Sequence, residues 1–223
     1  MDKKPQTTRR DTSLSRERII DAAIAILDAE GESALTFRTL AQRLSTGAGA
    51  IYWHVADKQD LLAAACDAVT AQTLAACAPG AAPEADIRAI ASGVFDMMEA
   101  HPWAGAALIR AGGQGPLVRI LESLGRQVQA LGVPDNEQWA TVSALLNYIL
   151  GVAGQNAANM QIARSGGIER AGLLESVAAA WSGLDAARYP FVRSMAGSLR
   201  AHDDRADFLA GIDLILRGIR SRA

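Results

Sequence analysis

Between Leu35 and Val55, two short runs of helical apolar spacing are separated by only Ser45, Thr46 and Gly47. In the first, "LTFRTLAQRL", Phe37, Leu40, Ala41 and Leu44 share one helical face, and Thr36 stands where an N-cap belongs. In the second, Ile51 and Val55 supply an inward face at i, i+4. Helices this short do not persist alone in water. They need a brace, and the period Ile19, Ala23, Ile26, Leu27 upstream provides one, opening near Ser15 and stopping at Gly31. Arg18, three residues after Ser15, leaves a capping box there incomplete. A supporting helix followed by helix, tight turn and helix is the pattern of a helix-turn-helix unit.

The second short helix has an unusual make-up. In "LSTGAGAIYWHV" very small side chains run directly into three polar-tipped rings, Tyr52, Trp53 and His54. Ala48, Gly49 and Ala50 would let the backbone press against another surface, while the rings carry hydrogen-bonding atoms to it. From Ser33 to Ala56 there is no acidic residue, yet Arg38 and Arg43 are present and Lys58 lies just beyond. The chain as a whole has a formal net charge of −2. A locally acid-free window in an acidic chain suits phosphate. Asp57 then offers an N-cap for the long helical run "KQDLLAAACDAVTAQTLAACA".

The remainder also reads as helices. Hydrophobic residues make up 50% and aromatic ones 5%, with Ala and Leu frequent, which favours packed helices over a β-sandwich. Pro79–Pro83 breaks the chain, and helical segments are expected at Glu84–Ala100, in "HPWAGAALIRAGG", and at Pro116–Leu131, Glu137–Arg164, Glu169–Ser182, Phe191–Ala201 and Arg205–Arg220. The reading is all-α in three parts: a basic arm at 1–14, a helix-turn-helix domain at 15–62 and a larger helical domain at 63–223. Cys66 and Cys77, eleven positions apart on one apparent helix, read as small buried apolar residues in a reducing compartment rather than a disulfide. Neither a secretory leader nor a membrane span is visible, so a cytoplasmic chain is expected. No phosphate-binding glycine loop, H-E-x-x-H or nucleophile elbow occurs, and His54, His101 and His202 are scattered. No enzyme, metal or cofactor is expected.

The run "LSRERIIDAAIAILDAEGESALTFRTLAQRLSTGAGAIYWHVADKQDLL" (Leu14–Leu62) resembles the DNA-binding domain of the tetracycline-repressor (TetR) family of bacterial transcription regulators, most specifically in "IYWHVADKQDLL". "FLAGIDLILRGI" (Phe208–Ile219) resembles the last helix of the family's C-terminal domain, and "HPW" (His101–Trp103) sits where related regulators carry it. The resemblance implies double-stranded operator DNA as partner. It places Arg38 at a base edge, Tyr52 and His54 on bases or backbone, and Lys58 on phosphate, with Thr36 and Thr46 as further phosphate donors. Trp53 either packs within the domain or touches DNA. Ser45 departs from the glycine common in the family's turn. Ala48, Gly49 and Ala50 replace larger side chains of the tetracycline repressor's recognition helix, shifting readout toward DNA shape.

The resemblance further implies that the larger domain dimerises and binds a ligand. Phe208, Ile212, Ile215 and Ile219 form one apolar stripe, and Trp139, Leu146 and their helical neighbours form another. These stripes either build a homodimer interface or face their own core. On the long helix Thr141, Tyr148, Gln155 and Asn159 share a narrow polar stripe, either solvated or orienting an effector. Phe95, Met98, Trp103, Leu121 and Leu124 are the expected apolar walls. The expected function is a homodimeric repressor released from a pseudo-palindromic operator by a small, mainly apolar molecule. The alternative is an all-α small-molecule-binding protein with vestigial DNA contacts.

Overall fold

The computed structural model describes residues 14–77, 80, 82–111, 115–167 and 169–221, with the side chains of 163–166 excepted. The basic arm, apart from Leu14, and the glycines at 112–113 lie outside them. The described residues form eleven α-helices, one 3-10 turn and no strand. The chain divides into two compact units, Met1–Ala68 and Val69–Ala223, and the division falls inside α4 (Lys58–Ala76).

In the first unit, α1 (Arg16–Glu30) starts at Ser15, whose side chain accepts from Arg18 N, and stops at Gly31 with φ 78°. A 3-10 turn at Glu32–Ala34 leads to α2 (Phe37–Leu44) and then α3 (Ala48–Ile51). Thr36 caps α2 more fully than expected. Its hydroxyl accepts from Thr39 N at 3.1 Å, and Thr39 Oγ1 accepts from Thr36 N at 3.0 Å. Threonine thus closes the reciprocal box usually closed by Glu or Gln. Ile19, Ala23, Leu35, Leu40, Ile51 and Val55 are all buried and tie the three helices together. Each buried large aliphatic side chain contributes about 1.5–3 kcal/mol, which is what holds a four-residue helix in place.

In the second unit, α5 (Pro83–Ala100) packs against α7 (Pro116–Ala130), α8 (Asp135–Gly166) and α11 (Asp204–Arg220), and α7 and α11 also pack on α8. The short α6 (Ala104–Arg110) rests on α8 and α5, while α9 (Arg170–Ser182) and α10 (Pro190–Arg200) pack chiefly on each other. The long helix starts two residues before the expected Glu137, because the Pro134 carbonyl accepts from Glu137 N at 2.8 Å and Gln138 N at 3.1 Å. Helix α4 stops at Ala76. Cys77 therefore lies past the helix and is only half-buried, donating to the Ala89 carbonyl at 3.3 Å, whereas Cys66 is fully buried.

Periodicity had left open which surface the apolar stripes meet. Phe208, Ile212, Ile219 and Leu146 are buried within this single chain. The expectation that they form a surface for another chain does not fit that burial. Trp139, 73% exposed, and the half-exposed Ile215 remain outside the core. None of the described helices is long and apolar enough to cross a membrane.

Candidate nucleic-acid interface and effector cleft

The turn between α2 and α3 is closed by Ser45 N–H donating to the Gln42 carbonyl (3.2 Å) and Thr46 N–H to the Ala41 carbonyl (3.0 Å), a Schellman pairing. This puts Ser45 at φ 52°, ψ 46°, the left-handed region that glycine occupies without cost. The departure from glycine noted in the sequence thus leaves the turn intact and a strained serine within it. After α3, Tyr52 stacks on Phe37 with ring centroids 4.3 Å apart and planes 5° from parallel. Phe37, expected to face inward, instead spends one ring face holding Tyr52 against the first turn of α2.

The loop that follows is clamped from both sides. Arg16 donates to the His54 carbonyl and pairs with Asp60 at 3.2 Å. Asp60 Oδ2 accepts from Ala56 N at 3.0 Å, and Asp57 Oδ1 caps α4 by accepting from Gln59 N and Asp60 N, each at 2.8 Å. The Ala56 N–H, and then the Arg16 guanidinium, hold the Asp60 carboxyl below the usual aspartate range. Arg16 and Phe37 carried no signal in the linear sequence for these roles. Their partners stand 38 and 15 positions away.

On this frame Arg38 and Arg43 are exposed, with no ion pair to other described residues. Ala48 and Gly49 are exposed, Ala50, Thr46 and His54 half-buried, and Tyr52 57% exposed. Trp53 is 89% exposed, so it does not pack within the domain. Two expected phosphate donors also make contacts within the unit. The Thr36 hydroxyl serves the α2 cap, and Lys58 Nζ donates to the Glu32 carbonyl at 2.7 Å.

The second unit holds a cleft of about 510 Å³ between α8, α9, α10 and the start of α11, a size ordinary for small-molecule sites. Tyr148, Gln155 and Asn159 all line it, so three members of the polar stripe converge there. Thr141 does not: it lines a separate groove and donates to the Glu137 carbonyl at 2.9 Å. The expected walls are not brought together. Phe95, Met98, Trp103 and Leu124 are buried core, and Leu121 lines another groove beside Trp139. Helical spacing marks apolar residues alike whether they face core or cleft. The apolar lining comes instead from Val152, Leu173, Leu174, Val177, Trp181 and Leu199. Tyr148 stacks parallel to Phe208 (5.7 Å, 6°), and its hydroxyl donates to the Phe208 carbonyl at 3.1 Å. Gly211 makes room for that ring: a Cβ there would fall 1.8 Å from Tyr148 Oη.

Residues 19–65 match the bacterial regulatory proteins, tetR family, and residues 79–223 match the tetracyclin repressor-like C-terminal domain. The transcriptional regulator SCO7222, a TetR from Streptomyces coelicolor, is 50% identical over 94% of this chain and 99% of its own, with a TM-score of 0.85. An HTH-type transcriptional regulator of Saccharopolyspora erythraea is 33% identical over 62% of this chain; the match spans 59% of that protein's length. ActR of Streptomyces coelicolor, in complex with actinorhodin, shares the fold at 23% identity and a TM-score of 0.75, covering 95% of this chain and 99% of that one. The chain belongs to the tetracycline-repressor family of transcriptional regulators.

Proposed function

We propose that the protein is a homodimeric repressor that binds a pseudo-palindromic operator through the face from Thr36 to Lys58 and leaves it when a small effector binds. One observation carries the DNA reading. The acid-free stretch Ser33–Ala56 presents Arg38, Tyr52 and Trp53 to solvent from a buried scaffold of Leu40, Ile51 and Val55. In this reading Arg38 reaches a guanine edge, where a bidentate pair discriminates by about 1–3 kcal/mol. Tyr52 and His54 contact backbone or bases, Trp53 touches the DNA, and Thr46 donates to phosphate. Lys58 adds positive potential beside the groove while tethered to Glu32. Ala48, Gly49 and Ala50 admit the backbone to the major groove.

A single four-residue recognition helix reads few bases, and a twofold pair doubles the site. The exposed Trp139 of α8 and the exposed Leu214 and half-exposed Ile215 of α11 support an apolar partner on the second unit. The effector is mainly apolar and is not a magnesium-chelated tetracycline. His202 is the one histidine among the cleft-lining residues, and magnesium prefers several oxygen ligands and waters. That ActR, with the same fold, is in complex with actinorhodin supports small-molecule control. Release requires that the effector favour the DNA-incompetent arrangement, by about 1–3 kcal/mol in an ordinary allosteric coupling. The protein works where its DNA is, in the cytoplasm.

A gel shift with DNA from the protein's own upstream region tests the reading. A discrete complex that a hydrophobic compound panel dissolves, and magnesium–tetracycline does not, is the expected result. Failure to shift that DNA, while binding small molecules normally, supports the vestigial-contact alternative.

A further inference from the structure

The α8–α11 cleft has a chemistry that its apolar walls alone do not convey. Asn156, 8% exposed, lines it. The one hydrogen bond its amide makes to other described residues runs from Nδ2 to Met160 Sδ at 3.8 Å. A thioether is a weak acceptor, so a primary amide nine-tenths buried is left facing the cleft with most of its capacity unused. At one end of the lining stand two carboxylates, Asp204 and Asp207, and among the described residues no lysine or arginine lines the cleft. His202 lies between them, Nε2 at 2.8 Å from Asp204 and Nδ1 at 2.5 Å from Asp207. Arg170 pairs with Asp204 at 2.6 Å and donates to the His202 carbonyl at 2.8 Å. Asp204 is therefore engaged by a fixed cation. The Asp207 carboxylate, its side chain 62% exposed, pairs with the imidazole, and the Tyr148 phenol lies nearby.

We infer that this cleft takes a cationic amphiphile, an organic amine whose apolar body lies along Val177 and Trp181 and whose ammonium group reaches Asp207. This deepens the proposed effector release and rests on it for its regulatory meaning, though the binding itself does not. The ammonium takes the place that His202 holds against Asp207. Asn156 Oδ1 and the amides of Gln155 and Asn159 accept from any further donor on the ligand. A carboxylate or phosphate on the ligand meets the Asp207 carboxylate, while Arg170 is already held by Asp204 and no arginine or lysine of the described residues lines the cleft, so anionic molecules of the same shape are disfavoured.

Calorimetric titration of the full-length protein with biphenylmethylamine, biphenylmethanol and biphenylcarboxylate holds the apolar body constant and changes only the head group. The amine is expected to bind about five- to tenfold more tightly than the alcohol, a margin set by one partly screened charge pair, with the carboxylate weakest. Asp207→Asn should bring amine and alcohol together while leaving the alcohol unchanged. Val177→Trp should remove binding of all three by filling the cleft, with circular dichroism confirming that both variants stay helical. Carboxylate binding as tight as the amine's overturns the proposal. So does amine binding that survives Val177→Trp, or its absence at millimolar concentration. Operator release is read separately. Amine binding without release refutes effector control and leaves the site assignment standing, whereas release by other compounds without amine binding refutes the site assignment.

Discussion

Gly49 occupies the middle of a four-residue helix, where glycine is the poorest ordinary choice. Its φ does not lie in the left-handed region, and a Cβ built there meets nothing within 4 Å. The fold itself thus has no use for the missing side chain. If glycine is there because DNA must come close, Gly49→Ala should move stability and binding in opposite directions. Replacing glycine at a compatible helical site stabilises by about 0.4–1 kcal/mol, mostly by restricting the unfolded chain. For a chain of this size that raises the melting temperature by roughly 1–4 °C. A methyl group pushed into a close-packed protein–DNA contact costs about 1–3 kcal/mol, by analogy with overpacked cores, or roughly five- to a hundredfold in affinity. Differential scanning calorimetry and fluorescence anisotropy with labelled operator read the two effects on one preparation. A stabilised variant that binds DNA like the wild type would refute the close-approach argument. One that loses both stability and binding would show that the glycine serves the fold.

Ser45→Gly should stabilise the first unit by about 0.5–1 kcal/mol, because relief of roughly 1–2 kcal/mol of left-handed strain outweighs glycine's unfolded-state entropy; chemical denaturation measures it. Arg38→Ala should cost about 1–3 kcal/mol of operator binding and relax preference at one base pair per half-site. Lys58→Ala should weaken all sequences alike, flatten the salt dependence and destabilise the first unit by removing one of the two hydrogen bonds to the Glu32 carbonyl, which keeps the one from Leu35 N–H; thermal melting detects the loss. The depressed Asp60 carboxyl contributes stability above its unfolded value near ~3.9, and that contribution disappears as pH falls through the lower folded value. Acid titration of the helical signal should therefore show destabilisation beginning below about pH 4, and Asp60→Asn should flatten it. Ile215→Asp should yield monomers in sedimentation if Ile215 is central to the interface.

The helix ends were legible because their chemistry is local. Ser15, Thr36, Asp57 and Gly31 each act on backbone groups within four residues. The helix-turn-helix order, the inward Ile51 and Val55 and the exposed arginines followed from the same short-range patterns. What periodicity does not encode is the partner of an apolar face. Phe208, Ile212 and Ile219 repeat as an interface stripe would, yet Phe208 stacks on Phe95 at 4.8 Å inside its own unit. The cleft escaped for a related reason. Its walls come from α8, α9, α10 and α11, and Tyr148 meets Phe208 across 60 positions, a pairing fixed by packing rather than by either local sequence. Polar spacing was the better guide. Tyr148, Gln155 and Asn159 shared a face in the sequence and share the cleft in the fold.

Hydroxyl-radical footprinting of the protein on its own upstream DNA tests the central claim most directly. Two protected half-sites related by a dyad, about one helical turn or a multiple apart, are predicted, with protection lost in Arg38→Ala before any loss of helical content. Uniform or absent protection at salt near 0.15 M, or full protection by the Arg38→Ala variant, would contradict a dimer reading DNA through this face.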